Sequence, residues 1–281
     1  MCLAVFAYDY HPDYWLIFGA NRDEYHDRPT ELARYWNGAP HVLAGRDRQA
    51  GGTWMGVTTT GKFAAVTNYR DPRNQIANPP SRGKLVSRYL QDTSLTPEVY
   101  QSTLLRDGRQ YNGFNLLFGT IDKLYYFTNR GNTSGLITPG IHGISNHLLD
   151  SRWPKVNIAK SRLDTIVQHD NFDPEEIFLA LSDPVPFADN LLPETGVGLE
   201  RERMLSPLFI NDEEYGTRSS TVVLAGRDGK VTFIERTFDH DTETSSTQGY
   251  NFQLQSIPAR RPYLKRSRSI AGRADRNNEP E

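Results

Sequence analysis

The chain opens on two short apolar runs, Leu3-Ala4-Val5-Phe6-Ala7-Tyr8 and Tyr14-Trp15-Leu16-Ile17-Phe18-Gly19, separated by the turn-rich Asp9-Tyr10-His11-Pro12-Asp13. This pattern predicts a β-hairpin. The stretch that follows, up to about residue 50, is rich in Trp, Asn, Gly and Pro and reads as loop with a short edge strand. Runs 53–59 and 62–69, joined by Thr60-Gly61, predict a second hairpin. Pro72, Pro79 and Pro80 then mark a surface loop. The spacing changes at Leu85, Val86, Tyr89 and Leu90, which with Ser81 as cap predicts a helix, and Thr96-Pro97-Glu98 opens another. Strands are expected over 114–120, 124–128 and 140–145, and helices over 153–168 and 174–181, the latter opened by Asp173-Pro174-Glu175. Residues 183–208 read as a proline-interrupted loop, and 217–224 with 231–237 as a last hairpin about Arg227-Asp228-Gly229.

Strands, helices, strands, helices, strands is the order of an α+β protein. Hairpins imply antiparallel sheets, and segregated helices imply layers, so a four-layer αββα sandwich buries every apolar face, although pattern alone does not choose it over another α+β arrangement. No clear linker divides residues 1–257, which are expected to form one domain. Residues 258–281 carry Arg260, Arg261, Lys265, Arg266 and Arg268 without apolar periodicity and are expected to be a disordered basic tail.

Composition narrows the function classes. Lys+Arg 32 against Asp+Glu 34 leaves a formal charge of -2, so no global basic field attracts nucleic acid, and small-molecule partners are expected. No apolar run approaches the ~18 residues of a membrane span, and no basic-then-apolar leader pattern is present, which predicts a cytoplasmic protein. Seven histidines include no pair at metal-ligand spacing, so neither a metal nor a cofactor is expected.

One cysteine, Cys2, serves the whole chain. Removal of Met1 would give it a free α-amine beside its thiol, and the amine titrates near ~7.7 to 8.0, low enough to take the thiol proton at neutral pH. That is the chemistry of an N-terminal nucleophile. In the predicted hairpin the end of the second run returns to the start of the first, bringing Asn21, Arg22 and Asp23 beside Cys2. A carboxylate there orients the α-ammonium, and a guanidinium favours the thiolate. Taken singly, a lone cysteine is most often a small buried apolar residue, and an Arg-Asp pair after a strand is most often a turn held by a salt bridge; together, at the extreme N-terminus, they favour chemistry.

Asn21-Arg22-Asp23-Glu24 after Met-Cys-Leu resembles the NRDE family, whose eukaryotic members include the transport and Golgi organisation proteins. The resemblance continues through Asp27-Arg28-Pro29, Gly45-Arg46-Asp47, Gly51-Gly52-Thr53-Trp54-Met55-Gly56, Thr67-Asn68-Tyr69-Arg70, Tyr111-Asn112-Gly113-Phe114-Asn115-Leu116, Ser145-Asn146, Trp153-Pro154-Lys155-Val156 and Arg218-Ser219-Ser220-Thr221. That family is in turn similar to N-terminal-nucleophile hydrolases such as choloylglycine hydrolase, which implies the αββα sandwich and cleavage of a non-peptide amide C–N bond. The implied site is Cys2, Asp23, Asn68, Asn146 and Arg218, with the asparagines supporting an oxyanion and Arg218 holding the site network or a substrate carboxylate. Each asparagine is also what ordinarily ends a strand, and Arg218 is also a plausible surface charge. Those hydrolases carry an arginine where this chain has Ala20, and Arg22 is the nearest substitute. The same resemblance implies an alternative, a non-catalytic carrier of an apolar ligand such as haem, a lipid or an acyl-CoA.

Overall fold

The computed structural model describes residues 3–131, 133–169, 171–240, 242 and 244–259. In chain order, strands β1 (Leu3–Tyr8), β2 (Tyr14–Tyr25), β3 (Thr30–Trp36), β4 (Ala39–Asp47), β5 (Met55–Thr58) and β6 (Lys62–Asn68) precede helices α1 (Gly83–Gln91) and α2 (Pro97–Asp107). Strands β7 (Phe114–Thr120), β8 (Lys123–Thr128), β9 (Thr133–Leu136) and β10 (Gly140–Ile144) lead into helices α3 (Pro154–Ile166), α4 (Pro174–Leu181) and α5 (Leu199–Met204). Strands β11 (Tyr215–Gly226), β12 (Lys230–Asp239) and β13 (Thr244–Gln253) follow.

The strands form two antiparallel sheets, ordered β10-β1-β2-β11-β12-β13 and β3-β4-β5-β6-β7-β8-β9. Three apolar clusters separate four layers. Phe6, Phe18, Phe63, Leu117 and Phe233 pack between the sheets. Helices α1 and α2 bury Val86, Tyr89 and Tyr100 on the outer face of the second sheet, and α3 and α4 bury Val156, Leu163, Ile177 and Leu181 on the outer face of the first. Gly19 permits the latter contact, since a Cβ there would meet Ile177 Cγ2 at 2.6 Å. This is the expected αββα sandwich, and it buries the apolar faces of both sheets.

The local predictions held where periodicity was strong. Thr96 Oγ1 accepts from the Val99 N–H at 3.3 Å, and Asp173 and Glu176 close a reciprocal capping box on α4. Ser81 does not cap α1: the capping position is Arg82, with no side-chain bond, and the Ser81 carbonyl accepts from the Lys84 N–H. Residues 30–47 are two strands rather than loop, and 244–253 form a strand with no counterpart in the expected elements. Strands β3 and β13 are sheet edges with largely solvated side chains, so they carry little of the apolar alternation that marks a strand. The proline-rich stretch 183–208 also contains the short helix α5. The basic tail beyond residue 259 lies outside the described residues. Among the described residues no helix is long and apolar enough to cross a membrane.

Candidate active site

Register defines the site. Leu3 pairs with Asn21 on β2 while Ala4 pairs with Ile144 on β10, so the chain enters β1 between Asn21-Arg22-Asp23 on one side and Ser145-Asn146 on the other. Cys2 itself lies outside the described residues. Strand β2 continues through the whole polar motif because β11 pairs with it as far as Tyr25. The motif is therefore strand rather than turn, and its side chains alternate between faces.

Asn21 and Asp23 point toward the helix layer. Asn21 Nδ2 donates to the Leu181 and Leu208 carbonyls at 2.9 and 2.8 Å, and its Oδ1 accepts from Ser220 Oγ at 2.6 Å. It ties the strand to the segments above it. Asp23 is buried and its Oδ1 accepts from Thr217 Oγ1 at 2.7 Å, while Thr217 in turn accepts from the Ile210 N–H at 3.0 Å.

Arg22 points the other way, between the sheets, on the same face as Phe18 and Ala20. Its guanidinium lies 4.3 Å over the Trp54 ring, and its buried Nη1 has no hydrogen-bond partner among the described residues. Burial pushes the guanidinium below its usual range, with Glu24 and Asp47 opposing and Arg218 and Arg28 adding to the effect. Trp54 occupies this place because Gly45 leaves room, a Cβ there falling on the indole. Ala20 is thus small on the very face that Arg22 fills from two residues further on.

Arg218 sits at a β-bulge between Thr217 and Ser219 and donates through Nη1 to the Tyr25 and His26 carbonyls at 2.7 and 2.8 Å. The guanidinium clamps the turn beyond β2. On the opposite side, Asn146 Nδ2 donates to the Asn68 carbonyl at 3.1 Å, joining the end of β6 in one sheet to the end of β10 in the other. The two predicted asparagines are brought together. Arg70 supports them, its N–H donating to the Asn146 carbonyl at 2.7 Å and its Nη2 to Asn146 Oδ1 at 3.3 Å. A buried ion pair of 2.5 Å with Glu202 on α5, and the Trp153 ring at 5.1 Å, hold Arg70 in turn.

Trp54 and Arg70 lie within motifs that carry the resemblance but had no role assigned, and Glu202 was not singled out, since nothing local tells which residues meet across layers. Glu235 was also missed, although alternation with Val231 and Phe233 places it on the apolar face of its strand. It is 1% exposed, with Oε1 accepting from the Ala33 N–H at 2.8 Å, and burial pushes its carboxyl up to about 7 against the Ala33 bond, the Arg22 charge and the Thr221 bond. Beside Asn146 an open groove of about 470 Å³ is lined by His147, Leu149, Trp153 and Pro193. Burial lowers the His147 imidazole from its usual range. On the far side of Asp23, Thr217 also lines a pocket of about 500 Å³ with His26, Phe209, Phe238 and His240. Among the described residues no three His, Cys, Asp or Glu side chains converge as a metal site.

Comparison with known proteins matches residues 1–240 to the family model for transport and Golgi organisation 2, TANGO2. The chain belongs to the TANGO2 family. The mouse transport and Golgi organization 2 homolog is 34% identical over 278 residues, covering 91% of this chain and 100% of the relative. The Drosophila transport and Golgi organization protein 2 is 28% identical over 264 residues, covering 84% of this chain and 92% of that one. Among solved structures, the C2A mutant of the conjugated bile acid hydrolase from Clostridium perfringens superposes with a TM-score of 0.50 at 10% identity, over 90% of this chain and 92% of that chain. The TANGO2-family chain therefore shares the fold of that hydrolase.

Proposed function

We propose that this protein is an N-terminal cysteine hydrolase acting on a non-peptide amide or related acyl bond of a small molecule. The observation that supports the reading is the register at the start of β1, where Leu3 pairs with Asn21 beside Arg22 and Asp23, and Ala4 pairs with Ile144 just before Ser145 and Asn146. Leu3 and its partner Asn21 face the helices, whereas Arg22 faces the space between the sheets, open to the reading of Arg22 as the thiolate's partner.

In this mechanism the Cys2 sulfur attacks the substrate carbonyl and its proton passes to the α-amine freed by removal of Met1. Arg22 favours the thiolate and Asp23 holds the α-ammonium. Asn146 donates one amide N–H to Asn68, leaving its second for the oxyanion, and the Asn68 side-chain amide supplies another donor at the same strand end. As the C–N bond breaks, the α-ammonium returns its proton to the departing amine, leaving a thioester that water hydrolyses. Arg218 acts by fixing the turn beyond Asp23. The groove beside Asn146 has the size for a small-molecule acyl or amine portion.

The test is turnover of an acyl-amide and acyl-thioester panel by cell-processed protein, by Cys2→Ala, and by a form with alanine inserted between Met1 and Cys2. Intact mass should show Met1 absent. The insertion converts the basic amine into a peptide nitrogen, and turnover should fall by ~10²- to 10⁴-fold with the fold retained. Full Cys2-dependent activity in the inserted form would remove the amine from its role as base. No turnover by any form, with the same apolar ligand bound by all three, would make the protein a carrier.

A further inference from the structure

Between the sheets, the two layers of apolar side chains are interrupted by a band of polar ones. Strand β2 contributes Arg22, β11 contributes Ser219 and Thr221, and β12 contributes Glu235, all nine-tenths buried or more. The registers place Ala20, Thr221 and Glu235 in one row across three strands and Arg22, Ser219 and Thr237 in the next, so Arg22 and Glu235 share a face in adjacent rows. Arg22 Nη1 and Ser219 Oγ have no hydrogen-bond partner among the described residues. A buried guanidinium with a hydrogen-bonding position left unused is expensive unless an opposite charge lies within reach through the low-dielectric interior.

We propose that Glu235 is the buried counter-charge of Arg22, a positioning residue that sets how strongly the guanidinium favours the Cys2 thiolate. The inference rests on the assignment of Cys2 as nucleophile. The elements packed against Glu235 narrow what controls it. Strand β2 supplies Arg22, β3 supplies the Ala33 N–H and the Tyr35 phenol, β11 supplies the uncharged Thr221, and β13 supplies Gln248 opposite it and the Tyr250 phenol, which donates to the Ala33 carbonyl. Burial pushes Tyr35 above the usual phenol range, so Arg22 is the charge that Glu235 meets near neutrality. With its carboxyl held at about 7, Glu235 is neutral below that pH and anionic above it. In the neutral form Glu235 leaves the field of Arg22 as Glu24 and Asp47 set it; in the anionic form it cancels a further part.

The experiment uses the single cysteine. Cys2 is the only thiol in 281 residues, so the rate of alkylation by iodoacetamide against pH reads that residue alone, with Cys2→Ala as the blank. In the wild-type full chain the profile should carry a second inflection near 7. Glu235→Gln keeps an acceptor for Ala33 and a group of the same shape for Thr221. It should remove that inflection and raise alkylation about 3- to 10-fold just above pH 7, with the rates converging below pH 6. In an Arg22→Gln background the same substitution should have less than half that effect, because the residue acts through Arg22. Should Glu235→Gln fail to fold, Thr221→Val supplies the reading: losing a bond to the carboxylate should move the inflection to higher pH. A Glu235→Gln profile superimposable on wild type, an equal effect without Arg22, or an inflection unmoved by Thr221→Val overturns the proposal. Alkylation does not require turnover, so a shifted profile without activity on any amide would retain this inference while removing the hydrolase reading, and the converse result would do the opposite.

Discussion

Arg70 and Arg22 are both buried guanidiniums lying on tryptophan rings, yet their surroundings differ in kind. Arg70 meets Glu202 at 2.5 Å, bonds Asn146 through both its main chain and its side chain, and stacks 5.1 Å from Trp153. Glu202 is itself bonded by the Thr195 N–H and hydroxyl at 2.9 and 2.6 Å. Arg22 has an indole at 4.3 Å and a field shared with Glu235, but no ion pair within contact distance among the described residues. The first arrangement is a lock, with each charge satisfied by the other, the guanidinium also by the Asn146 acceptor and the carboxylate also by the Thr195 donors. The second leaves a cation with unspent hydrogen-bonding capacity beside the entry to β1. A buried charge that is fully paired reports on architecture; one that is half-paired reports on chemistry still to be done.

The sharpest way to break this contrast is to remove the partner of the locked arginine. Glu202→Ala leaves the Arg70 charge buried and unpaired, and is expected to cost about 3 to 5 kcal/mol of stability, read by urea unfolding. A loss under ~1 kcal/mol would mean that the pair is as loosely held as Arg22. The pH dependence of stability is the next largest effect. Glu235 is held at about 7 against an ordinary 4.5, so the folded chain binds more protons than the unfolded chain between those values. Stability contributed by the neutral acid is present in full below about pH 4.5 and is lost as pH rises toward 7, by ~3 kcal/mol in all. Glu235→Gln should therefore flatten the stability profile between pH 4.5 and 7 and be relatively more stable than wild type at pH 8, measured by thermal unfolding across that range. The smallest change in stability is expected at the open end of the comparison. Arg22→Met keeps the length and apolar contact on Trp54, and should alter stability by less than ~1.5 kcal/mol while lowering Cys2 alkylation at pH 7 several-fold. A large stability loss with unchanged thiol reactivity would make Arg22 a second lock.

Much of the first sheet was readable from the chain because its central strands are buried on both faces and so read as continuous apolar runs. The hairpin of β1 and β2, with Asp23 and Arg22 returned toward the chain start, follows from two apolar runs and a five-residue link. The asparagines at 68 and 146 were legible as strand ends. Orientation was less so: extending β2 past Gly19 puts Asn21 and Asp23 on one face and Arg22 on the other, and only pairing with β11 extends the strand that far. Glu235 was legible in principle, as a charge at the parity of Val231 and Phe233, whereas β13 was not, since its exposed edge needs no apolar pattern.

Local sequence determined what short-range forces decide: which segments are strands or helices, where most of them turn, and that a lone cysteine precedes a hairpin whose far arm ends in charges. Those outcomes depend on side-chain periodicity and backbone preference within a few residues. Tertiary structure alone decided that Asn146 would donate to the Asn68 carbonyl across two sheets, that Trp54 would lie beneath Arg22, that Arg70 would be locked by a glutamate from α5, and that Glu235 would share an interior with Arg22. Each of these pairs is far apart in sequence and meets only because strands pair within a sheet, sheets stack and helices cover them, excluding water, which strengthens the electrostatics between the partners. Neither partner carries a local mark of the other, so the charge balance at the candidate site emerged from packing.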